Sequence, residues 1–323
     1  MESYKIIDGV LHVFTDTGVH DYCEENGIAR EDFNQPIVIS DDIESCSYML
    51  SGCASFNQPL TIPLCEQKQY GGMLHNCASF NSTITWSKDF ASYGDIYTVQ
   101  MFEGCISLQS ITLPECHLGF AESMFSGCHA LVKADCHNIS VEDAICMFSD
   151  CSELVEVDLP YSLVEGGQMF VNCEKLTTVR GWNDVQVAER MFKGCTSLKH
   201  VQQGKLAVPI PWCSWGMFEG CENLGELQFV ADGDAFDEAL HLLARDYDDE
   251  YDAEAGTFFN IPFGDYRDAE EFCTDDLKIL TANAFELIFK DLPGTFDKNT
   301  LTYKPPVKSE SSTDITATTN LFN

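Results

Sequence analysis

Eight times the chain places a cysteine four residues after a methionine and a phenylalanine or leucine three residues after that cysteine. The methionines are Met49, Met73, Met101, Met124, Met147, Met169, Met191 and Met217. Their cysteines are Cys53, Cys77, Cys105, Cys128, Cys151, Cys173, Cys195 and Cys221. Phe56, Phe80, Leu108, Leu131, Leu154, Leu176, Leu198 and Leu224 close the units. Successive methionines lie 24, 28, 23, 23, 22, 22 and 26 residues apart. A degenerate copy precedes them, because "DFNQP" at 32–36 echoes "SFNQP" at 55–59 without its Met and Cys. A unit this short cannot bury its own apolar face, so its neighbours must stack on it and the chain must form a solenoid.

Each unit contains one clear strand. "SLQSITLP" at 107–114 and "ELVEVDLP" at 153–160 put apolar residues at offsets 0, 3 and 5 with polar residues between them. In an extended chain the last two point to one face, and proline ends the strand. The segment before it, such as "ESMFSGC", is too short for an independent helix and reads as one helical or 3₁₀ turn. One strand and one turn per unit is therefore the expected coil. Residues between the core positions, namely Thr112, Asp135, Asp158, Arg180, Gln202 and Gln228, are expected to form one exposed column.

Stacking at about 4.8 Å would turn the eight cysteines into a structural ladder in the interior. Cysteine packs there as a small hydrophobe. Adjacent rungs fall within disulfide Cα range, but their Cβ vectors run parallel, so free thiols are expected. The chain has 16 cysteines and no CxxC pair, which argues against zinc-ribbon and thioredoxin chemistry.

"MFEGCISLQSITLP" at 101–114 and "CASFNQPL" at 53–60 resemble the BspA-like leucine-rich repeats of bacterial surface adhesins and of some phage and protist proteins. The resemblance covers residues 33–231. It implies an α/β repeat fold, a leucine-rich-repeat solenoid of short strands and single helical turns. It also implies a binding role: adhesion to a surface, or recognition of a partner within an assembly.

Outside the solenoid, residues 1–32 read as a small β-rich N-terminal cap, with Asp8-Gly9 as a hairpin turn between "YKII" and "VLHVF". Residues 232–297 read as an acidic, partly helical C-terminal module. They hold helical patterns at 236–244 and 274–292, and 16 acidic residues between Asp232 and Asp276. Residues 298–323 read as an extended Ser/Thr/Pro-rich tail that orders by contact with a larger assembly.

The net charge of −34 excludes nucleic acid and anionic membrane surfaces as ready partners. No apolar run approaches the ~18 residues of a membrane span, and no signal-peptide pattern opens the chain. Cytoplasmic synthesis is then the default, with a virion location expected if the chain is phage-encoded and a cell-surface or cytoplasmic location otherwise. Three Cys-His pairs, Cys116-His117, Cys128-His129 and Cys136-His137, offer zinc-type ligands, but neighbours on a strand point to opposite faces. No metal, cofactor or catalytic site is therefore assigned. "DYDDEYDAE" at 246–254 lacks the glycine and terminal spacing of an EF-hand loop and reads as a solvated acidic surface. The chain carries no P-loop, dinucleotide fingerprint or GxSxG elbow, so a non-enzyme is expected.

The two longest units hold aromatic insertions, "WSKDFASYGDIY" at 86–97 and "AVPIPWCSW" at 207–215. Tyr93, Tyr97, Trp212 and Trp215 are accordingly the candidate partner-binding residues. Their partner would be a protein, a surface glycan receptor or a neighbouring virion protein.

Overall fold

The computed structural model describes residues 2–87, 95–182, 185, 187–202, 205–207, 214–230, 288–289, 292–297, 300 and 302–307. Strands β1 (Tyr4–Ile7) and β2 (Val10–Val13) form an antiparallel hairpin. It turns at Asp8 and Gly9, whose φ values of 52° and 79° are those a type I′ turn requires. A helix that the β-rich reading omits follows as α1 (Gly18–Asn26), ended by Gly27 in the left-handed conformation. Val19 and Cys23, with the partly buried Tyr22 beside them, give it a short apolar stripe, too sparse for periodicity to register, while Gly27 is the legible stop signal. Strand β3 (Ile37–Ile39), which follows the degenerate copy, then pairs in parallel with β2, so the hairpin and that copy share a three-stranded sheet.

From there the chain coils. One set of strands begins with the parallel pair β4 (Leu60–Ile62) and β5 (Ile84–Trp86). A second strand per coil first appears as β6 (Ile96–Tyr97). The sets then alternate as β7 (Ser110–Thr112), β8 (Cys116–Phe120), β9 (Lys133–Asp135), β10 (Ile139–Asp143), β11 (Glu156–Asp158), β12 (Ser162–Glu165) and β13 (Thr178–Arg180). They continue as β14 (His200–Val201), β15 (Lys205–Ala207) and β16 (Leu227–Val230). β7, β9, β11, β13 and β14 make one parallel sheet, and β6, β8, β10 and β12 make another. Each central coil thus carries two strands where the sequence pattern showed one. The second is short, and "CHLGF", "ISVED" and "SLVE" mix buried Leu118, Val141 and Leu163 with polar residues that hide the alternation.

The Met-to-Cys segment is neither α-helical nor a 3₁₀ turn. In the Met124 unit, the N–H groups of Met124, Ser126, Cys128 and Leu131 close on carbonyls three residues back. The intervening Phe125 and Gly127 instead donate across to Met147 and Ser149 of the next coil, at 2.8 Å each. Positive φ at Ser123 (54°) and Gly127 (70°) causes this alternation, because a left-handed residue every few positions stops helix propagation. The second of these positions is filled by Gly52, Asn76, Gly104, Gly127, Asp150, Asn172, Gly194 and Gly220, the residue types that tolerate it. The segment is therefore a ladder in its own right, and it forms the third wall of the coil.

The repeating coils each hold one buried phenylalanine, with Tyr70 and Trp182 buried besides, but the phenylalanine's position changes. In the first coils Phe33, Phe56 and Phe80 stack 6.0 Å apart, beside Leu50 and Leu74. From Met101 onward the pattern inverts. Phe102, Phe125, Phe148, Phe170, Phe192 and Phe218 stack at 5.3–5.6 Å, and leucines take the closing position. The Phe33–Phe56 stack also places the degenerate copy in the solenoid. Asn34, Asn57 and Asn81 reinforce it, each accepting the N–H of the equivalent position in the next coil at 2.9–3.0 Å.

Both ends are closed. At the first turn there is no earlier coil to donate to its carbonyls, and Arg30 does so instead. Its guanidinium reaches Tyr48 O at 2.8 Å, Met49 O at 2.9 Å and Ser51 O. At the far end Phe289 stacks 5.8 Å from Phe218 and 4.9 Å from Tyr303. Strands β17 (Thr295–Asp297) and β18 (Thr302–Lys304) form a hairpin whose second strand runs antiparallel to β16. The expected boundary at 297/298 cuts through this hairpin. "LTYK" reads as tail because its buried Thr302 and Tyr303 are too few to show a pattern. The helical expectations over 236–244 and 274–292 lie outside the described residues except at 288–289 and 292, and no residue of 308–323 is described.

Candidate binding surface

The structure places all eight motif cysteines in the interior, at 0–1% exposure. Each thiol from Cys77 onward donates to a carbonyl of the preceding coil: Cys77 to Leu50 at 3.1 Å, Cys105 to Leu74 at 3.2 Å, and Cys128 to Phe102 at 3.2 Å. Cys151 reaches Phe125 at 3.2 Å, Cys173 reaches Phe148 at 3.1 Å, and Cys195 and Cys221 reach Phe170 and Phe192 at 3.0 Å. The same carbonyls already accept the turn N–H of their own coil, so the thiol fills the second lone pair. Burial pushes the thiols of Cys53, Cys128 and Cys221 up to about 12, and those of Cys105, Cys151 and Cys195 well above the ordinary value. A protonated, enclosed thiol is neither a nucleophile nor a metal ligand. All fourteen described cysteines are free.

The Cys-His pairs divide between inside and outside. Cys116, Cys128 and Cys136 are buried, while His117, His129 and His137 face out. His129 Nδ1 lies 2.9 Å from Asp150 O, and His137 contacts Asp135.

The first-strand sheet presents the expected column, with Thr112, Asp135, Asp158 and Arg180 in register. A charge network spreads over it: Arg180 reaches Glu156 at 2.6 Å and Asp158 at 3.4 Å, and Lys133 reaches Glu156 at 3.4 Å. Arg180, and then Lys133, holds the Glu156 carboxyl below its ordinary range. These pairs satisfy one another, so this face has little unmatched charge to offer a partner.

The second-strand sheet differs. On it Tyr97 stacks on the exposed Phe120 with ring centroids 5.3 Å apart. Of the aromatics nominated by sequence, Tyr97 is half-buried on this sheet and Trp215 is half-buried near the far end, with the Arg190 guanidinium 3.8 Å over its ring. They belong to the Met101 and Met217 coils, five coil steps or about 25 Å apart, and so do not form one site. Tyr93, Trp212 and the acidic run at 246–254 lie outside the described residues. Phe120 was missed by sequence reading because the second strand was. Among the described residues no helix is long and apolar enough to cross a membrane.

No curated protein and no solved structure matches the chain. The family of BspA type leucine rich repeat regions does match, in six copies over residues 72–199. These residues span the six coils from Met73 to Met191, and over that stretch the chain is similar to BspA type leucine rich repeat regions.

Proposed function

We propose that the chain is a non-enzymatic recognition protein that binds a macromolecular partner through an outward sheet face of the solenoid. The observation that carries this reading is the Tyr97–Phe120 pair. It is a partly exposed aromatic platform on a rigid parallel sheet, whereas the chain's motif thiols are buried and protonated. The Arg190–Trp215 pair is a second, smaller anchor of the type enriched at interfaces. BspA-type repeats are scaffolds for binding, which agrees with this assignment.

Within that role we assign the chain to a phage virion, as a tail, baseplate or receptor-binding component. A bacterial cell-surface adhesin and an intracellular interaction scaffold are the competing placements. The test uses the purified chain on intact bacterial cells, together with fractionation of the producing culture. Co-sedimentation with phage particles supports the virion placement. Recovery on the bacterial surface supports the adhesin, and recovery in neither supports the intracellular scaffold. Replacing Tyr97 and Phe120 together with alanine should weaken binding by about tenfold or more while the melting curve stays cooperative. Undiminished binding would remove the face from the proposal.

A further inference from the structure

Three neighbouring strands bring a histidine and two carboxylates together where the sequence gives no metal spacing. Asp95 immediately precedes β6, His117 lies on β8 and Glu142 on β10, all on the outward face. His117 Nε2 is 3.2 Å from Asp95 Oδ1 and 3.6 Å from Glu142 Oε1, and the three ligand atoms lie within 4.8 Å of one another. Ligand atoms about 2.1 Å from a tetrahedral ion sit about 3.4 Å from each other, so the two separations bracket the edge of such a site.

Two features beside the cluster fit the same purpose. Ser140 Oγ lies 2.6 Å from His117 Nδ1, and Ser140 is only 8% exposed. A hydroxyl accepting from Nδ1–H fixes the ring and leaves the Nε2 lone pair facing the two carboxylates, which is how an outer partner orients a metal-binding imidazole. Gly119 stands between His117 and Phe120, and a Cβ there would meet the Asp95 Cβ at 3.3 Å. Its φ lies outside the left-handed range, so the glycine serves space rather than backbone conformation. A register irregularity at Ile96/Tyr97 re-aims the edge strand at this point.

We propose that Asp95, His117 and Glu142 form a binding site for a divalent transition-metal cation of the zinc class, with a fourth position open to solvent or to a group from a partner. One nitrogen and two carboxylate oxygens suit zinc, and a single Nε2 proton can serve only one of the two carboxylates, whereas an ion serves both. The two carboxylates compensate the charge of the cation. The site sits beside the Tyr97–Phe120 platform, and its argument does not rest on that platform binding a partner.

Zn²⁺ competition against a chromogenic chelator, on the full chain in a non-thiol reductant, tests it. The wild type should bind one equivalent that His117→Asn lacks. Asp95→Asn and Glu142→Gln should weaken that equivalent by at least about tenfold, and Ser140→Ala by about 10–100-fold through loss of imidazole orientation. Co²⁺ should give a four-coordinate visible absorption in the wild type and none in His117→Asn. Identical Zn²⁺ titrations of wild type and His117→Asn would overturn the site. Displacement of Zn²⁺ by equal concentrations of Ca²⁺ or Mg²⁺ would also overturn it, showing an acidic surface without selectivity. Unchanged thermal melts of the variants separate loss of ligand from loss of fold.

Discussion

At the scale of single residues, the recurring cysteine has a reason beyond its size. Its slot is enclosed, and the carbonyl facing it has one lone pair filled by a turn N–H and one left over. Alanine would fit the slot and leave that lone pair unfilled, while valine or leucine would press on the next coil. Cysteine fits and donates. The Cys151→Ala substitution should therefore destabilise the fold by about 1–2 kcal/mol, combining lost volume with a lost hydrogen bond. A serine hydroxyl in the same slot would be smaller than the thiol but would keep a donor, so Cys151→Ser should be the milder change. Denaturant unfolding checks the ranking, and a serine variant less stable than the alanine one would show the slot to be purely apolar. Sequence reading saw the ladder as packing alone, because a thiol's donor role depends on which carbonyl the neighbouring coil presents.

At the scale of elements, the coil was half legible. The period, the first strand with its buried Ala134, Val157, Val179 and Val201, and the Asp8-Gly9 hairpin follow from patterns that local chemistry enforces. The second strand and α1 do not, since each rests on two or three apolar residues whose burial is decided by neighbours more than twenty positions away. The candidate site suffered the same loss: Tyr97 was named, but Phe120, Asp95 and Glu142 join it only through that second strand. One further element-level rule was written in the sequence: where the residue after Met is Leu the closing residue is Phe, and where it is Phe the closing residue is Leu. Total volume per coil is thereby conserved. Phe148→Leu should cost about 1–2 kcal/mol and Leu154→Phe about 1–3 kcal/mol through overpacking. The double variant, which copies the Met49 and Met73 coils, should cost clearly less than their sum. A double-mutant cycle with additive values within about 0.5 kcal/mol would show that the two positions do not share one volume.

At the scale of the whole molecule, stacking converts a sequence period into rows, and in a chain of net charge −34 some rows are of like sign. Asp143 and Glu165 face each other in register on β10 and β12, and Glu189 follows on the next coil. Burial, then the charges of Asp143 and Glu189, raises the Glu165 carboxyl above its ordinary range, and burial also raises Glu189. A carboxyl whose folded value is raised is less costly when protonated. Its contribution to stability is therefore fully present below the unfolded value, about 4.3, and is lost as pH rises through the folded value. Glu165→Gln removes that loss, so it should raise the melting temperature at pH 7, and the gain should shrink toward zero as pH falls to about 4, where the wild-type carboxyl is already neutral. Glu156 works in the opposite sense, since Arg180 and Lys133 depress it and its contribution disappears as pH falls through the lowered value. Thermal melts of wild type and Glu165→Gln across this range, at fixed ionic strength, isolate the row, because Glu156 is common to both proteins. A gain that stayed constant with pH would assign the effect to packing of the amide, and no gain at pH 7 would mean that solvent already screens the row.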